Sequence, residues 1–261
     1  MAFKRKMKIL VVIVDYNSAK FTEKLISSFP KDISFEFLIA CTGNRLFQAD
    51  REDVTVRKLE NIGYFPAARL VIDDIDISKY NFVIISNSDI EIVSFPLNIL
   101  KDLEEKKSIG LVGPSIVNLM GEQQNPFLVT RLSFSRRLFW NVYYKSYLLS
   151  LVIAWLRKKL VIKKVSREPL KSQAVYAVHG AFMIFTNSFF EKGCKIKDDF
   201  FLYAEEISSA EECRKVELGV QTVPKLKVIH KENISTKGLN SRSKWLIQRD
   251  SYRTLIKNYF I

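Results

Sequence analysis

Two acidic segments of this sequence have the residue types that best suit metal binding and proton transfer. The first is Asn87-Ser88-Asp89-Ile90-Glu91, which follows an apolar run at 81–86 directly. A carboxylate at the end of a buried strand can reach a divalent cation that bridges two phosphates, and hard oxygen ligands suit Mg²⁺ or Mn²⁺. The structural alternative is that this Asp only caps a helix or closes a turn.

The second group is the pair Glu205 and Glu206, which follows the aromatic run FFLY at 200–203 and begins a predicted helix. Aromatic shielding raises the pKa of a carboxyl toward the range useful for a general base. In the alternative interpretation, two acids in a first helical turn only complement the helix dipole.

The sequence has two histidines, and both lie beside apolar runs. His230 ends a predicted strand, and His179 precedes Gly180-Ala181. A histidine at the carboxyl end of a strand can bind a metal or contact a phosphate. The alternative for each is a structural histidine whose hydrogen bonds are satisfied within the fold.

The elements that must position these residues alternate between strands and helices. Apolar, β-branched runs predict strands at 8–14, 35–40, 54–59, 81–86 and 109–113, and helical periodicity predicts helices at 19–29, 65–74 and 97–106. This alternation predicts an α/β fold with a parallel sheet covered on both faces. Ligands of such sheets bind beyond the carboxyl ends of the strands, which gives weight to the loops at 15–18 and 87–91.

Farther along the chain the pattern is less regular. A polar loop is predicted at 121–125, and then a strand at 181–185, a short helix from Asn187, a strand at 226–229 and a C-terminal helix at 240–260. With 261 residues and 48% hydrophobic content, one compact domain is expected.

The three cysteines, Cys41, Cys194 and Cys213, are odd in number and lack metal-like spacing, which predicts buried thiols in a reducing compartment. The basic N-terminus precedes an apolar run too short for a signal peptide, and no run is long enough to span a bilayer. A cytoplasmic location is therefore expected.

The net charge of +13 is concentrated in a basic segment, residues 131–171, which carries eleven Lys or Arg and a single acid, Glu168. Such a patch suits nucleic acid, anionic lipid headgroups or a pyrophosphate-linked substrate. Within it, the apolar stretch 146–156 fits an interfacial helix at a membrane, a helix packed on the protein itself or a self-association surface. No recognition helix or RNA-binding aromatic motif accompanies the charge, so no nucleic-acid partner is expected.

In order and spacing, these signals resemble the inverting family 2 glycosyltransferases, especially their rhamnosyltransferase-like branch. The resemblance covers most of the chain. The matching segments are Val11-Val12-Ile13-Val14-Asp15-Tyr16-Asn17, Asn61-Ile62-Gly63, Asn87-Ser88-Asp89, Gly180-Ala181-Phe182-Met183-Ile184-Phe185-Thr186 and Phe200-Phe201-Leu202-Tyr203-Ala204-Glu205-Glu206, followed by His230.

The resemblance implies a GT-A fold, a Rossmann-like and mostly parallel sheet flanked by helices, with a basic helical insertion and a C-terminal helix. It implies a nucleotide-binding half at about 1–115 and an acceptor-binding half at about 116–261. Donor-binding residues would be Asp15, Tyr16, Asn17, Asn61, Gly63, Asn87, Ser88 and Asp89. Acceptor-binding residues would be His179, Gly180, Ala181 and Tyr203.

The resemblance also implies the chemistry. Asp89 would hold a divalent cation, Mg²⁺ or Mn²⁺, on the donor diphosphate, and His230 would support the metal or the phosphates. Glu206 would be the base that takes the proton of the acceptor hydroxyl, with Glu205 as the alternative. The expected partners are a nucleotide-sugar donor and a saccharide acceptor that is lipid-linked, reached at the inner face of the cytoplasmic membrane through 131–171.

The sequence departs from the family pattern at four places. Glu206 stands where the family has Asp, and Ser208 replaces a later Asp. Thr186 replaces an arginine, and Ala40-Cys41-Thr42 replaces the V-D-N segment whose acid reads a pyrimidine. The donor nucleobase is therefore left unassigned.

The expected function is transfer of a hexose or deoxyhexose in bacterial surface polysaccharide synthesis. Two other classes stay open. A nucleotidyltransferase also combines a parallel α/β sheet with acid-held magnesium, although this first strand leads into Asp15-Tyr16-Asn17-Ser18 and not into a glycine-rich loop. A non-catalytic basic protein that binds membranes or nucleic acid would fit the charge.

Overall fold

The computed structural model describes residues 7–49, 51–160, 171–231 and 240–261, with only the backbone of 157–160. Part of the basic segment, 161–170, and the basic N-terminal residues therefore lie outside the described residues. No helix among the described residues is long and apolar enough to cross a bilayer.

A mixed sheet forms the centre of the fold. Its strands in chain order are β1 (Lys8–Asp15), β2 (Ser34–Cys41), β3 (Val54–Lys58), β4 (Phe82–Asn87), β5 (Ile90–Ser94), β6 (Ile109–Asn118), β7 (Gln173–Val175), β8 (Phe182–Thr186) and β9 (Gly219–His230). The order across the sheet is β3-β2-β1-β4-β8-β6-β9-β5, with β7 also paired to β9. Only β5, β7 and β8 of these described strands run against the common direction. The predicted mostly parallel α/β sheet is confirmed.

Helices cover both faces of this sheet. They are α1 (Ala19–Ser28), α2 (Tyr64–Ile72), α3 (Leu97–Glu104), α4 (Phe134–Tyr143), α5 (Tyr147–Leu160), α6 (Asn187–Glu191), α7 (Glu205–Lys215) and α8 (Ser241–Tyr259). The predicted helical insertion is formed by α4 and α5, and the predicted C-terminal helix is α8.

The core has two layers because the central strands are apolar on both faces. Alternate residues of β1 go to opposite layers: Ile9 packs with α1 and α3, whereas Leu10 packs with α2, α6 and α7. Both residues are nearly inaccessible to solvent. Because both faces of β1 are buried, its sequence is an unbroken apolar run. Cys41, Cys194 and Cys213 are buried free thiols, as predicted.

The two longest strands extend past their predicted limits. The sequence places the end of one strand at Gly113, but β6 continues through Pro114 to Asn118. The register between β6 and β9 shifts at Pro114/Ser115, and this irregularity accommodates the missing proline N–H. The suggested division near residue 115 falls inside β6.

The loop predicted at 87–91 is shorter in the structure. Only Ser88 and Asp89 form the turn, because Ile90 and Glu91 already belong to β5. In the antiparallel pairing of β5 with β9, Ile90 lies opposite His230. This register brings the residue before Ile90, which is Asp89, next to the end of β9.

Candidate active site

A cavity of about 1260 Å³ opens beyond the carboxyl ends of β1, β4 and β9. Most of the site residues predicted from the sequence line it. They are Tyr16, Asn61, Gly63, Asn87, Asp89, His179, Gly180, Ala181, Tyr203, Glu205, Glu206 and His230. Strands and helices from the whole chain therefore bring the predicted residues into one cleft.

At one end of the cavity, Asp89 faces His230. Its side chain is buried, and the Oδ1 atom makes no hydrogen bond with any described residue. The His230 Nε2 atom lies 3.4 Å from that oxygen, without hydrogen-bond geometry. A buried, unpaired carboxylate oxygen is costly. A cation bound between the oxygen and the ring nitrogen would remove this cost.

Gln124 orients the His230 ring from the opposite side. The His230 Nδ1 atom lies 2.8 Å from the Gln124 Oε1 atom. Because an amide oxygen accepts hydrogen bonds, this contact favours a ring proton on Nδ1, and the neutral ring then has its lone pair on Nε2. Sequence reasoning missed Gln124, since its only signal was a place in a polar loop.

A complete protein cage for a metal is not formed. Among the described residues, no group of three His, Cys, Asp or Glu side chains converges. Asp89 and His230 would supply two ligands, which suits a cation that also binds substrate phosphates. The residues present thus fit a cation shared with a ligand.

The two glutamates of the site begin α7 and approach Gly180. The Gly180 N–H donates to the Glu206 Oε1 atom at 3.2 Å, whereas the Glu205 carboxylate accepts the Ala204 N–H at 2.7 Å. A Cβ atom at Gly180 would lie 2.7 Å from Glu205 Cγ and 3.0 Å from Glu206 Oε1. Only glycine lets both acids come this close.

The environment of these acids favours their protonated forms. Burial, followed by the negative charge of Glu205, raises the pKa of Glu206 well above its usual range. Burial also raises the pKa of Glu205. A carboxyl whose pKa lies nearer neutrality than usual suits proton transfer at physiological pH.

Tyr64 is a second site residue that motif matching did not single out. Its hydroxyl donates to the Gly180 carbonyl at 3.1 Å. Burial, with the charges of Glu205, Glu206 and Asp89, raises the pKa of Tyr64 well above its usual value. The hydroxyl therefore stays protonated and holds the Gly180 backbone beneath the acids.

His179 is neutral in this setting. Its backbone N–H donates to Asn125 Oδ1 at 2.7 Å, and its Nδ1 atom accepts the Ala181 N–H at 3.1 Å. Burial, and then the neighbouring His230, lower the pKa of His179 to about 4. The remaining proton therefore lies on Nε2, where it can be donated in the cavity.

Two residues with positive φ lie near the acids. Tyr203 has a φ of 71° although it is not glycine. Gly63 has a φ of 107°, and a Cβ atom there would overlap the Phe201 carbonyl oxygen. Strained conformations of this kind persist where the surrounding structure holds them, and they cluster at functional sites.

Three predicted donor-binding residues do not line the cavity. The Asp15 carboxylate accepts the Ser18 N–H and the Thr22 hydroxyl, so it is used to start α1. Ser88 shares a hydrogen bond with the Ser18 hydroxyl at 2.7 Å, and Asn17 accepts the Arg45 N–H at 3.1 Å. These hydrogen bonds engage the three side chains within the protein, and their contact with a donor stays a prediction.

The opposite wall of the cavity is aromatic and cationic. It is formed by α4 and α8 with the loop before α4, and its residues include Phe127, Arg136, Phe139, Trp140, Tyr144, Lys244 and Tyr252. Neither cation forms an ion pair with another described residue. This wall suits a ligand with an apolar part and a negative charge.

Comparison with known proteins identifies the architecture. No family model matches the sequence, and no curated protein matches it. Among solved structures, the chain is similar to GalNAc-T7 with UDP, GalNAc and Mn²⁺, with a TM-score of 0.62 and 13% identity over 97% of this chain. It is also similar to TarS from S. aureus, with a TM-score of 0.51 and 12% identity over 87% of this chain. The chain has the GT-A fold.

These neighbours are longer proteins. The matched region is 48% of the GalNAc-T7 chain and 37% of the TarS chain. At identities this low the likeness concerns the fold, and the chemistry has to be argued from the site itself.

Proposed function

We propose that this protein is a metal-dependent, inverting glycosyltransferase that moves a sugar from a nucleotide-sugar donor to an acceptor hydroxyl. The observation that carries the proposal is the unpaired, buried Asp89 Oδ1 atom facing His230 Nε2 in the same cavity as Glu206. The GT-A fold supports the proposal. One structure with a similar fold, that of GalNAc-T7, contains UDP and Mn²⁺, which also supports it.

In this proposal, Asp89 and His230 hold the cation, Mg²⁺ or Mn²⁺, on the donor diphosphate. When bound, the cation would stabilise the charge that develops on the leaving nucleoside diphosphate. Gln124 keeps His230 in the tautomer that can bind it. Tyr16 and Asn61, which line the same cavity, would contact the donor.

The chemical step assigned to the protein is proton removal. The ionised form of Glu206, whose share increases as the pH rises toward its raised pKa, accepts the proton of the acceptor hydroxyl while the hydroxyl oxygen forms a bond to the anomeric carbon. The bond from that carbon to the diphosphate oxygen breaks, and the nucleoside diphosphate leaves with the electron pair. Attack from the opposite side inverts the anomeric configuration.

Glu206 is preferred to Glu205 as the base for a geometric reason. The Glu205 carboxylate folds back onto the Ala204 N–H at the start of its own helix, whereas Glu206 reaches across to Gly180. The neutral His179, beside Gly180, would donate a hydrogen bond to the acceptor.

For the acceptor, we propose a lipid-linked saccharide in bacterial surface polysaccharide synthesis, with a hexose or deoxyhexose as the transferred sugar. The aromatic and cationic wall formed by α4 and α8 supports this choice. Arg136 and Lys244 would contact phosphate, and Phe139 and Trp140 would contact an apolar chain.

The test combines a binding assay with product analysis. Thermal unfolding is followed with a panel of nucleoside diphosphates, each with and without Mn²⁺ or Mg²⁺. The proposal expects one nucleoside diphosphate to raise the melting temperature only when the metal is present. In turnover with the matching nucleotide-sugar it expects nucleoside diphosphate as product. Release of pyrophosphate would indicate nucleotidyl transfer and contradict it.

A further inference from the structure

Helices α4 and α5 leave a continuous apolar stripe exposed on each helix. On α4 the exposed residues are Phe134, Leu138 and Val142, at intervals of one helical turn. On α5 they are Leu148, Leu151, Val152, Trp155 and Leu156. Phe134 and Leu148 are 73% and 72% exposed, so these side chains are not merely core residues at an edge. Here the two stripes together are called the outer face.

The opposite sides of the same helices are already occupied. Tyr144 packs against Tyr252 of α8 with ring centroids 5.2 Å apart, and Tyr147 packs against Trp245 at 5.6 Å. Because these contacts hold the inner sides on the protein, the outer face is not the surface through which the helices fold onto their own domain.

Charge indicates which occupant suits the outer face. Neither α4 nor α5 contains an Asp or Glu, and the basic segment 131–171 has a single acid. Lys145, between the two helices, is exposed. A second copy of this chain would bring two cationic surfaces together, which opposes self-association. An anionic lipid bilayer would attract the cations and bury the apolar stripes.

We propose that the outer face docks the protein on an anionic lipid bilayer. The stripes of leucine, valine and aromatic side chains enter the boundary between headgroups and acyl chains, with Trp155 at the level of the headgroups. Docking brings the cavity to the bilayer, because α4 also carries Arg136, Phe139 and Trp140 on the cavity wall. The use of this position to reach a lipid-linked acceptor rests on the proposed function, but the docking does not.

The test is co-sedimentation of the full chain with lipid vesicles, without donor, acceptor or metal. Vesicles of phosphatidylcholine alone are compared with vesicles of phosphatidylcholine and phosphatidylglycerol. The wild-type protein should bind the anionic vesicles more tightly, and added salt should weaken binding because it screens the charges. Leu148→Ser/Leu151→Ser/Trp155→Ser should reduce the affinity by at least about tenfold.

Two further variants make the result specific. Lys145→Glu should weaken binding to anionic vesicles without altering the apolar stripes. Leu119→Ser/Met120→Ser, which removes two apolar side chains that are 71% and 81% exposed elsewhere, should leave binding unchanged. Circular dichroism and thermal unfolding check that each variant is folded.

Three outcomes would overturn the proposal. One is wild-type protein that binds neither kind of vesicle, and another is a folded triple variant that binds as tightly as the wild type. The third is a wild-type dimer in solution that the triple variant converts to a monomer, since the outer face would then bind a second copy. Because the assay contains no donor or metal, its failure would leave the proposed transfer reaction standing.

Discussion

The His230 Nε2 atom lies 3.4 Å from the Asp89 Oδ1 atom, and no hydrogen bond joins them. The sheet creates this approach, because Ile90 pairs with His230 across β5 and β9. The contact of Gln124 with Nδ1 orients the His230 ring so that Nε2 faces Asp89. Asp89 Oδ1 and His230 Nε2 are the two atoms that would bind the cation of the proposed function.

The first prediction concerns Gln124. Gln124→Leu removes the acceptor that keeps the His230 proton on Nδ1, so the affinity for Mn²⁺ in the presence of nucleoside diphosphate should fall by about 10- to 100-fold. Gln124→Glu, which retains an acceptor, should preserve most of the affinity. Calorimetric titration measures both. Equal losses in the two variants would mean that the Nδ1 hydrogen bond is not the cause.

The second prediction concerns the base. Glu206→Gln keeps an oxygen for the Gly180 N–H but cannot take a proton, so kcat should fall by about 10²- to 10⁴-fold while donor binding persists. Glu205→Gln, at the neighbouring position, should have a smaller effect on kcat. Steady-state kinetics with purified variants checks this. A larger loss in the Glu205 variant would transfer the role of base to that residue.

The third prediction follows from the raised pKa of Glu206. As pH rises above the ordinary Glu pKa, the unfolded chain releases this proton while the folded protein keeps it. The folded state therefore loses stability until the pH exceeds the raised pKa. Glu206→Gln removes this loss. The free energy of unfolding of the variant minus that of the wild type should therefore be larger at about pH 8 than at about pH 5, by more than about 1 kcal/mol.

Glu211 provides the control with the opposite sign. It is buried, and hydrogen bonds from Arg131, Tyr176 and Arg214 outweigh the effect of burial and lower its pKa. Its stabilising effect is present above the ordinary Glu pKa and is lost only toward lower pH. Glu211→Gln should therefore reduce stability by similar amounts at both pH values in urea titrations. A Glu206 variant with the same flat profile would contradict the third prediction.

The fourth prediction concerns Gly180. In Gly180→Ala the new methyl group would lie 2.7 Å from Glu205 Cγ and 3.0 Å from Glu206 Oε1, so one or both acids must move. We expect kcat to fall by at least about tenfold because the base is displaced. In Gly219→Ala, in β9, the new methyl group would lie 3.0 Å from the Ile109 Cδ1 atom and 3.4 Å from the Ser108 carbonyl oxygen, far from the acids, so activity should be retained. Full activity in the Gly180 variant would show that the close approach is not required.

Much of the fold could be predicted because its first strands carry strong local signals. The double burial of β1, β2 and β4 produces apolar runs that exclude other assignments. The short strand β5 carries no such signal. Only its first residue, Ile90, is fully buried, and the strand follows a polar turn. It forms because it pairs with β9 from far along the chain.

The candidate site divides in the same way. Asp89, Glu206 and His230 could be selected because carboxylates and histidines after apolar strands are chemically distinctive. Gln124 and Tyr64 could not be selected, because an amide in a loop and a tyrosine at a helix start are common in any protein. Only the structure shows that Gln124 contacts His230 and that Tyr64 contacts Gly180. Asp15 shows the converse, because its carboxylate is used within its own loop.

The most direct test of the central claim is calorimetric titration of Mn²⁺ into the protein with saturating nucleoside diphosphate, compared with Asp89→Asn and His230→Ala. Glu91→Gln, two residues beyond Asp89 and half-buried in an ion pair with Lys231, is the matched control for charge. The account predicts Mn²⁺ binding in the wild type and the control, and its loss in both site variants. Undiminished Mn²⁺ binding in Asp89→Asn and His230→Ala would contradict it.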